Sequence, residues 1–212
     1  MNSRFIHIIF AIMLVMLVYP FIRPLGLAGH LVSTLFIALI PLSTVYALTD
    51  DKKTAMAIFL LATPFVIIDA LIYFHWSRSL LVVAYSCASV LYFYIVFLLV
   101  KNLLSITVVT SDLIYCAIAT FLLIGIGWGG VYTVVEGLSP GSFSAETETG
   151  DLLYFSFVTL TTLGYGDVLP TSTLSKRLAI IEAAMGSIYM AVIIALIVGR
   201  YISMHLDDDT DK

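Results

Sequence analysis

The sequence predicts an all-α integral membrane protein with six transmembrane helices and one shorter helix that enters the membrane without crossing it. Three observations lead to this fold class. The chain of 212 residues is 61% hydrophobic and only 11% charged, whereas soluble domains are about half apolar and a quarter charged. Its mean hydropathy is +1.08. Its apolar residues also form helix-length runs that are separated by short polar turns.

The composition also narrows the possible function classes. The net charge of −4 comes without a basic run, so the sequence indicates no nucleic-acid partner. Cys87 and Cys116 both lie inside apolar stretches, which is more typical of small core residues than of a disulfide or a metal site. No Cys/His cluster or nucleotide-binding loop is visible, and the intramembrane acids Asp69 and Glu182 have no evident catalytic partner. We therefore expect no enzyme activity and no organic cofactor, and no soluble partner is evident.

The first four predicted spans belong to residues 1–111, which we interpret as a four-helix membrane domain followed by a connector. An 18-residue helix reaches about 27 Å, close to the thickness of the hydrocarbon layer. Arg4 precedes the first run, so cleavage of residues 1–28 as a signal peptide is an alternative, but the run is long for that role. The predicted spans are 5–22, 31–48, 54–74 and 80–100, and the connector is 101–111.

The fourth span lacks the charges of a voltage sensor. Such a sensor needs several Arg or Lys residues within the membrane field, and none lies between Leu80 and Val100. Asp69 is the single acid inside the first four spans. We weigh two functional roles, a proton or ion sensor and a partner of a basic group such as Arg23, Arg78 or His75, against a hydrated acid near the outer interface. We favour the hydrated acid.

The second unit, residues 112–205, contains two more spans with a loop and a short helix between them. The spans are 113–135 and 178–204, and residues 206–212 are an acidic tail. Residues 151–161 are too short to cross, so we predict a re-entrant helix, which needs burial in protein or a water-filled cavity. Gly125 and Gly129 have the spacing that lets helices approach closely, here against the short helix or the last span.

Residues 159–167, directly after the short helix, read Thr-Leu-Thr-Thr-Leu-Gly-Tyr-Gly-Asp. Gly164 and Gly166 can adopt positive φ without a Cβ penalty. A backbone of alternating handedness points successive carbonyls the same way, where they can replace the hydration shell of an ion. Thr162 adds a hydroxyl at the inner end, and Leu163 and Tyr165 are expected to face away from the ion.

The segment Thr162-Leu163-Gly164-Tyr165-Gly166, followed by Asp167, resembles the selectivity filter of the potassium channel superfamily, usually Thr-Val-Gly-Tyr-Gly-Asp. The resemblance covers roughly residues 113–201 and implies a six-helix, single-pore subunit of the prokaryotic type. It implies passive conduction through a pore that four identical chains surround in a lipid bilayer. K⁺ is then the only bound ion, held at Thr162, Leu163, Gly164 and Tyr165.

Two departures from the family pattern concern the helix behind the filter. Some members carry a Glu where this chain has Val158, so the buried carboxyl pair with Asp167 is missing. The family often has Trp-Trp where this chain has Tyr154-Phe155, and only the Tyr154 hydroxyl is expected to reach Asp167. We therefore predict a filter with fewer cross-braces and altered inactivation. The residues expected to support the filter are Tyr154, Val158, Thr161, Asp167 and Glu182.

The last span is expected to form the cavity and the gate. Glu182 lies early in it, and we expect polar groups such as Ser156 or Thr159 to brace its carboxyl group behind the filter. Gly186 matches the family's inner-helix glycine, and a gating hinge and close helix packing are equally open roles for it. The predicted hinge, cavity and gate residues are Gly186, Met190, Ile194, Ile197 and Tyr201.

The loop before the short helix is acidic. It could concentrate cations near the pore mouth, or it could be an ordinary solvated loop. Its acids are Glu136, Glu146, Glu148 and Asp151.

The orientation follows from the six spans, which place both termini on one side. Cytoplasmic termini give a weak excess of inner basic residues, six against four, at Arg4, Lys52, Lys53, Lys101, Arg200 and Lys212 against Arg23, Arg78, Lys176 and Arg177. We therefore expect a multi-pass protein of the cell membrane, the inner membrane if the source is bacterial. The alternatives to a K⁺-selective channel are a weakly selective cation channel and a non-conducting membrane sensor or modulatory subunit.

Overall fold

The computed structural model describes residues 4–22, 25–48, 52–106, 108–144 and 149–210. Within that part of the chain the architecture is all helical. The helices are α1 (Ile6–Ile22), α2 (Gly26–Leu48), α3 (Lys52–Ile72), α4 (Arg78–Ser105), α5 (Ser111–Leu138), α6 (Thr149–Leu160) and α7 (Thr173–Thr210).

Five of these helices, α2 to α5 and α7, are long and apolar enough to cross a membrane. The first predicted span is α1, whose 17 residues would reach about 25 Å. The 12 residues of α6 would reach only about 18 Å, which agrees with a helix that does not cross. Two predicted boundaries were too short. Helix α4 continues to Ser105, so the connector begins at Ile106, and α7 continues to Thr210 through most of the predicted tail.

Helix α4 packs along α5 of the same chain. A Cβ added to Gly130 would lie 2.5 Å from the Ser89 hydroxyl, and one added to Gly137 would lie 2.6 Å from Val82, so the two backbones approach closely. The connector, residues 106–110, spans at most about 18 Å when extended. The bundle of α1 to α4 therefore lies beside its own α5.

Thr110 and Asp112 determine where α5 starts. Thr110 has an extended backbone, and its hydroxyl accepts a hydrogen bond from the Leu113 amide at 3.4 Å. Asp112 adds a negative charge in the first turn, where the helix dipole is positive. The Thr110 cap and the Asp112 charge together favour a helix that begins at Ser111.

A core that is separate from that of the α1 to α5 bundle forms where α5, α6 and α7 meet. The rings of Tyr132, Phe143 and Phe155 contact one another edge to face, with centroids 5.1 to 5.4 Å apart. Gly125 and Gly129 lie against α6, because added Cβ atoms would overlap Phe157 and Leu153. The predicted packing of these glycines is confirmed, with α6 as the partner. This core places α6 and the loop that follows it.

The favoured interpretation of Asp69 was wrong. Its side chain is only 2% exposed within the chain, and the Thr34 hydroxyl donates a hydrogen bond to Oδ2 at 2.7 Å. The ring nitrogen Nε2 of buried His30 lies 2.8 Å from the Asp69 backbone carbonyl oxygen and 4.0 Å from Oδ2. The acid therefore joins α2 to α3 from inside the bundle, because a buried carboxyl group is stable only with such polar partners.

Candidate functional site: the loop after α6 and its supports

Residues 162–166 are called the filter segment here, after the resemblance noted in the sequence. Helix α6 ends in a motif that also begins this segment. The Leu163 amide donates to the Val158 carbonyl at 2.9 Å, and the Thr162 amide donates to the Thr159 carbonyl at 3.0 Å. These two bonds are those of a Schellman motif, in which the residue just past the helix adopts the left-handed conformation. Thr162 occupies that place with φ of 59°. The helix end therefore fixes the first residue of the filter segment.

The backbone then alternates in handedness over five residues. Thr162, Gly164 and Gly166 have φ of 59°, 63° and 78°, whereas Leu163 and Tyr165 are not in the positive region. The positive φ predicted for the two glycines is confirmed, and that of Thr162 is an addition. The Gly164 amide also donates to the Val158 carbonyl, at 3.3 Å. Alternating handedness is the condition under which successive carbonyls share one direction.

Asp167 follows the filter segment and is held by Tyr154. The Tyr154 hydroxyl donates to Oδ2 at 2.7 Å, as expected from the sequence, and the Val168 amide donates to Oδ1 at 3.0 Å. The hydrogen bond from Tyr154 is the main reason that the pKa of Asp167 lies below its usual range. The carboxylate is therefore ionised at neutral pH and braces the filter segment against α6.

The chain beyond Asp167 is tied to the loop that follows α5. Phe143 and Pro170 form an antiparallel bridge, in which the Ser144 amide donates to the Leu169 carbonyl at 2.7 Å and the Thr171 amide to the Ser142 carbonyl at 2.9 Å. This bridge holds the chain as it leaves the filter segment and leads it back to α7.

The Glu136 carboxylate organises the same loop. It accepts hydrogen bonds from the Gly141 amide at 2.7 Å and from the Phe143 amide at 3.2 Å. This local role differs from the cation-concentrating role considered for the acidic loop. Asp151 lies in the first turn of α6, and Glu146 and Glu148 lie outside the described residues.

Glu182 joins three helices behind the filter segment. Its side chain is fully buried. The Ser156 hydroxyl of α6 lies 2.5 Å from Oε1, and the Tyr132 hydroxyl of α5 lies 2.5 Å from Oε2. The contact with Ser156 was predicted and is confirmed, whereas the contact with Tyr132 was not foreseen. The pair of partners fixes α7 against both α5 and α6.

Gly186 lies one turn further along α7. A Cβ at this position would overlap the carbonyl oxygen of Leu160, the last residue of α6. Close packing is therefore one role of this glycine, and the hinge role stays a prediction. Met190, Ile194 and Tyr201 are each about half exposed within the chain, whereas Ile197 packs against the core of α1 to α5. The spacing of the five predicted residues places them on one face of α7, and their assignment to the hinge, cavity and gate stays a prediction.

The remaining supports show what sequence reasoning missed. Val158 was considered for its side chain, but its carbonyl oxygen is the group that holds the filter segment. The Thr161 hydroxyl, just past the end of α6, donates to the Phe157 carbonyl in the last turn of that helix at 2.6 Å. Tyr132 lies 50 residues before Glu182. A tyrosine in an apolar span two turns after Gly125 was the available signal, because a buried hydroxyl needs a partner.

Comparison with known proteins places residues 126–203 in the family described as "Ion channel". Over 68 residues the chain is 37% identical to the inward rectifier potassium channel Kirbac3.1 of Paramagnetospirillum magnetotacticum, covering 32% of this chain and 21% of that protein. The stretch that the family model matches includes residues 162–166 and Glu182. The chain is thus similar to ion channels over residues 126–203 and to a potassium channel over 68 residues.

A second relative agrees with this assignment. Over 69 residues the chain is 34% identical to the two-pore potassium channel 4 of Arabidopsis thaliana, covering 31% of this chain and 24% of that protein. The aligned part thus spans only about a fifth to a quarter of these curated relatives. No solved structure matches the chain at a significant level.

Proposed function

We propose that the chain is the subunit of a potassium-selective channel that conducts K⁺ passively through a pore shared by four copies. The observation that carries the proposal is the alternation of backbone handedness from Thr162 to Gly166. With carbonyls in one direction, Thr162, Leu163, Gly164 and Tyr165 would offer rings of oxygen atoms in place of water. The Thr162 hydroxyl would complete the innermost site.

Helix α6 supports a cation at the inner end of this filter. Its carboxy-terminal end lies at Leu160, directly before the filter segment, and carries the negative end of the helix dipole. The Schellman motif fixes the orientation of that end relative to Thr162. The cation would be held there by a field that exists before it arrives.

Assembly of four copies is supported by α7 and by the single filter per chain. Large apolar side chains of α7 are exposed on several sides of that helix in the single chain. They are Ile180, Ile181, Ile188, Met190, Val192, Ile194, Val198 and Ile202. One filter segment cannot surround an ion, so four chains would supply the ring. The neighbours would also cover Leu163 and Tyr165, which are exposed in the single chain.

The proposed location is the cell membrane, with both termini in the cytoplasm and the filter near the outer face. The five long apolar helices support a multi-pass protein. The bundle of α1 to α4 would not be a steep voltage sensor, because the span from Leu80 to Val100 carries no basic residue.

The proposal is tested by a reversal potential. Purified protein is placed in a planar bilayer with K⁺ on one side and Na⁺ on the other. We expect a strongly K⁺-favouring reversal that Gly164→Ala abolishes, because alanine is strained at φ of 63°. Gly150→Ala is the matched control, since nothing lies within 4 Å of a Cβ there and its φ is not positive.

Each other outcome favours a different function. Clear current that reverses near zero would make the chain a weakly selective cation channel. If no current appears over a wide range of voltage and pH, and if K⁺ also fails to protect the purified protein against heat, the non-conducting subunit becomes the better description. Equal effects of Gly164→Ala and Gly150→Ala would contradict the filter assignment.

A further inference from the structure

Glu182 makes two of the three contacts in one chain of hydrogen bonds. Tyr132 Oη lies 2.5 Å from Glu182 Oε2, Ser156 Oγ lies 2.5 Å from Oε1, and Ser156 Oγ also lies 2.7 Å from the Gly125 carbonyl oxygen. The chain thus runs from α5 through α7 and α6 and back to α5. All its side chains are buried.

Three such contacts need three hydrogen atoms. The Tyr132 and Ser156 hydroxyls supply one each, and a carbonyl oxygen supplies none. If Glu182 were ionised, the single Ser156 hydrogen would face two acceptors, the carboxylate and Gly125. A proton on Oε1 supplies the missing third hydrogen atom. Oε1–H then donates to Ser156, Ser156 donates to Gly125, and Tyr132 donates to Oε2.

The surroundings favour the same state. A buried carboxylate is costly unless a cation pairs with it. Tyr132 is the titratable group that α5 directs at Glu182, and α6 contributes the Ser156 hydroxyl. Lys176 and Arg177, the basic residues at the start of α7, are exposed. In the described part of the chain, the hydrogen-bond partners of this carboxyl group are hydroxyls.

We propose that Glu182 acts as a neutral, proton-carrying positioning residue that holds the pore helix α6 at a fixed distance from α5 and α7. This proposal rests on the proposed channel function. Ser156 lies two residues before Val158, whose carbonyl holds the Leu163 and Gly164 amides. The side chain therefore acts on the filter through α6 and touches no ion-binding residue itself.

Infrared difference spectroscopy of the purified protein tests the proton. At neutral pH we expect the carbonyl band of a protonated carboxylic acid, lost in Glu182→Gln and retained in Asp69→Asn, the matched control for the other buried acid. In Tyr132→Phe this band should move to higher frequency, because Oε2 loses its donor. If the band neither disappears in Glu182→Gln nor shifts in Tyr132→Phe, the proposal is overturned.

Conduction tests the positioning role separately. Glutamine retains the pattern, since its amide donates to Ser156 and its carbonyl accepts from Tyr132. We therefore expect Glu182→Gln to keep the K⁺ preference over Na⁺, and Glu182→Leu to reduce it about tenfold, as for loss of a buried hydrogen bond. Equal damage by both substitutions, or none by leucine, would overturn the role. The infrared band does not depend on ion flow, so failure of the channel function would be recognised separately.

Discussion

Helices α5 and α7 are both long and apolar, yet they are buried to very different extents within the chain. In an 18-residue apolar stretch of α5, 61% of the residues are buried within the chain. In the corresponding stretch of α7 the share is 17%. Helix α5 lies between α4 and α6 and presents glycines to both. Helix α7 contacts its own chain along one side only. The difference indicates that one chain completes the scaffold around α5, whereas most of the α7 surface is not covered by its own chain.

The contacts of α7 with its own chain are few and specific. Besides Glu182, the Tyr189 hydroxyl donates to the Ala117 carbonyl at 2.7 Å. The Arg200 guanidinium donates to the carbonyls of Leu103 at 3.1 Å and Leu104 at 3.2 Å. The last carbonyls of a helix lack partners within it, so Arg200 caps α4. Polar contacts thus set the register of α7, while its apolar surface stays available.

The largest expected effect comes from Gly186→Ala, which would break the contact of α7 with α6. The added methyl would overlap the Leu160 carbonyl, and backbone cannot move aside as a flexible side chain can. We expect a loss of about 1–3 kcal/mol or more in stability and little remaining current. Thermal unfolding of the purified protein measures the loss of stability, and bilayer recordings measure the loss of current. Gly199→Ala is the control, because a Cβ there meets nothing within 4 Å.

A smaller effect should follow from Ile188→Asn on the exposed surface of α7. Ile188 is 63% exposed in the single chain. If a neighbouring subunit covers it, burial of an unpaired amide should weaken assembly by about 1–3 kcal/mol while each subunit keeps its helix content. Native mass spectrometry would then find fewer tetramers. Leu60→Asn on α3, a position 74% exposed, is the control. Equal effects of both substitutions would mean that α7 faces only lipid.

The smallest expected effect concerns pH at the outer end of the filter. The Tyr154 hydrogen bond lowers the pKa of Asp167, so the brace is complete above the usual carboxyl range and is lost as the pH falls through the lowered value. In Tyr154→Phe the pKa should return towards its usual value. Acid-induced decay of the current should then begin at a higher external pH than in the wild type. An unchanged pH profile would separate the brace from inactivation.

The sequence predicted the number and order of the helices and the positive φ of Gly164 and Gly166, because these depend on local patterns. Length and hydropathy indicate a span, and Gly164 and Gly166 indicate a special backbone. The contacts of Glu182 were predicted in part, since Ser156 lies on the neighbouring short helix. Tyr132 was missed because its partner is 50 residues away, and no periodicity encodes that distance.

The misjudgement of Asp69 has a similar cause. Its position near the end of a span suggested hydration, but burial depends on how α2 lies against α3. Thr34 and His30, the groups that accommodate the acid, come from the preceding helix. The conformation of Thr162 was missed for a different reason. Its positive φ follows from the hydrogen bonds that end α6, and residue type alone favours the opposite sign.

The short connector between α4 and α5 has a consequence for assemblies that mix two versions of the chain. Because residues 106–110 keep each bundle beside its own α5, a substitution in one bundle would reach the pore first through its own subunit. Linked chains carrying zero to four altered bundles should therefore change opening in graded steps, one for each altered copy. Each bundle would then contribute separately to the opening of the shared pore.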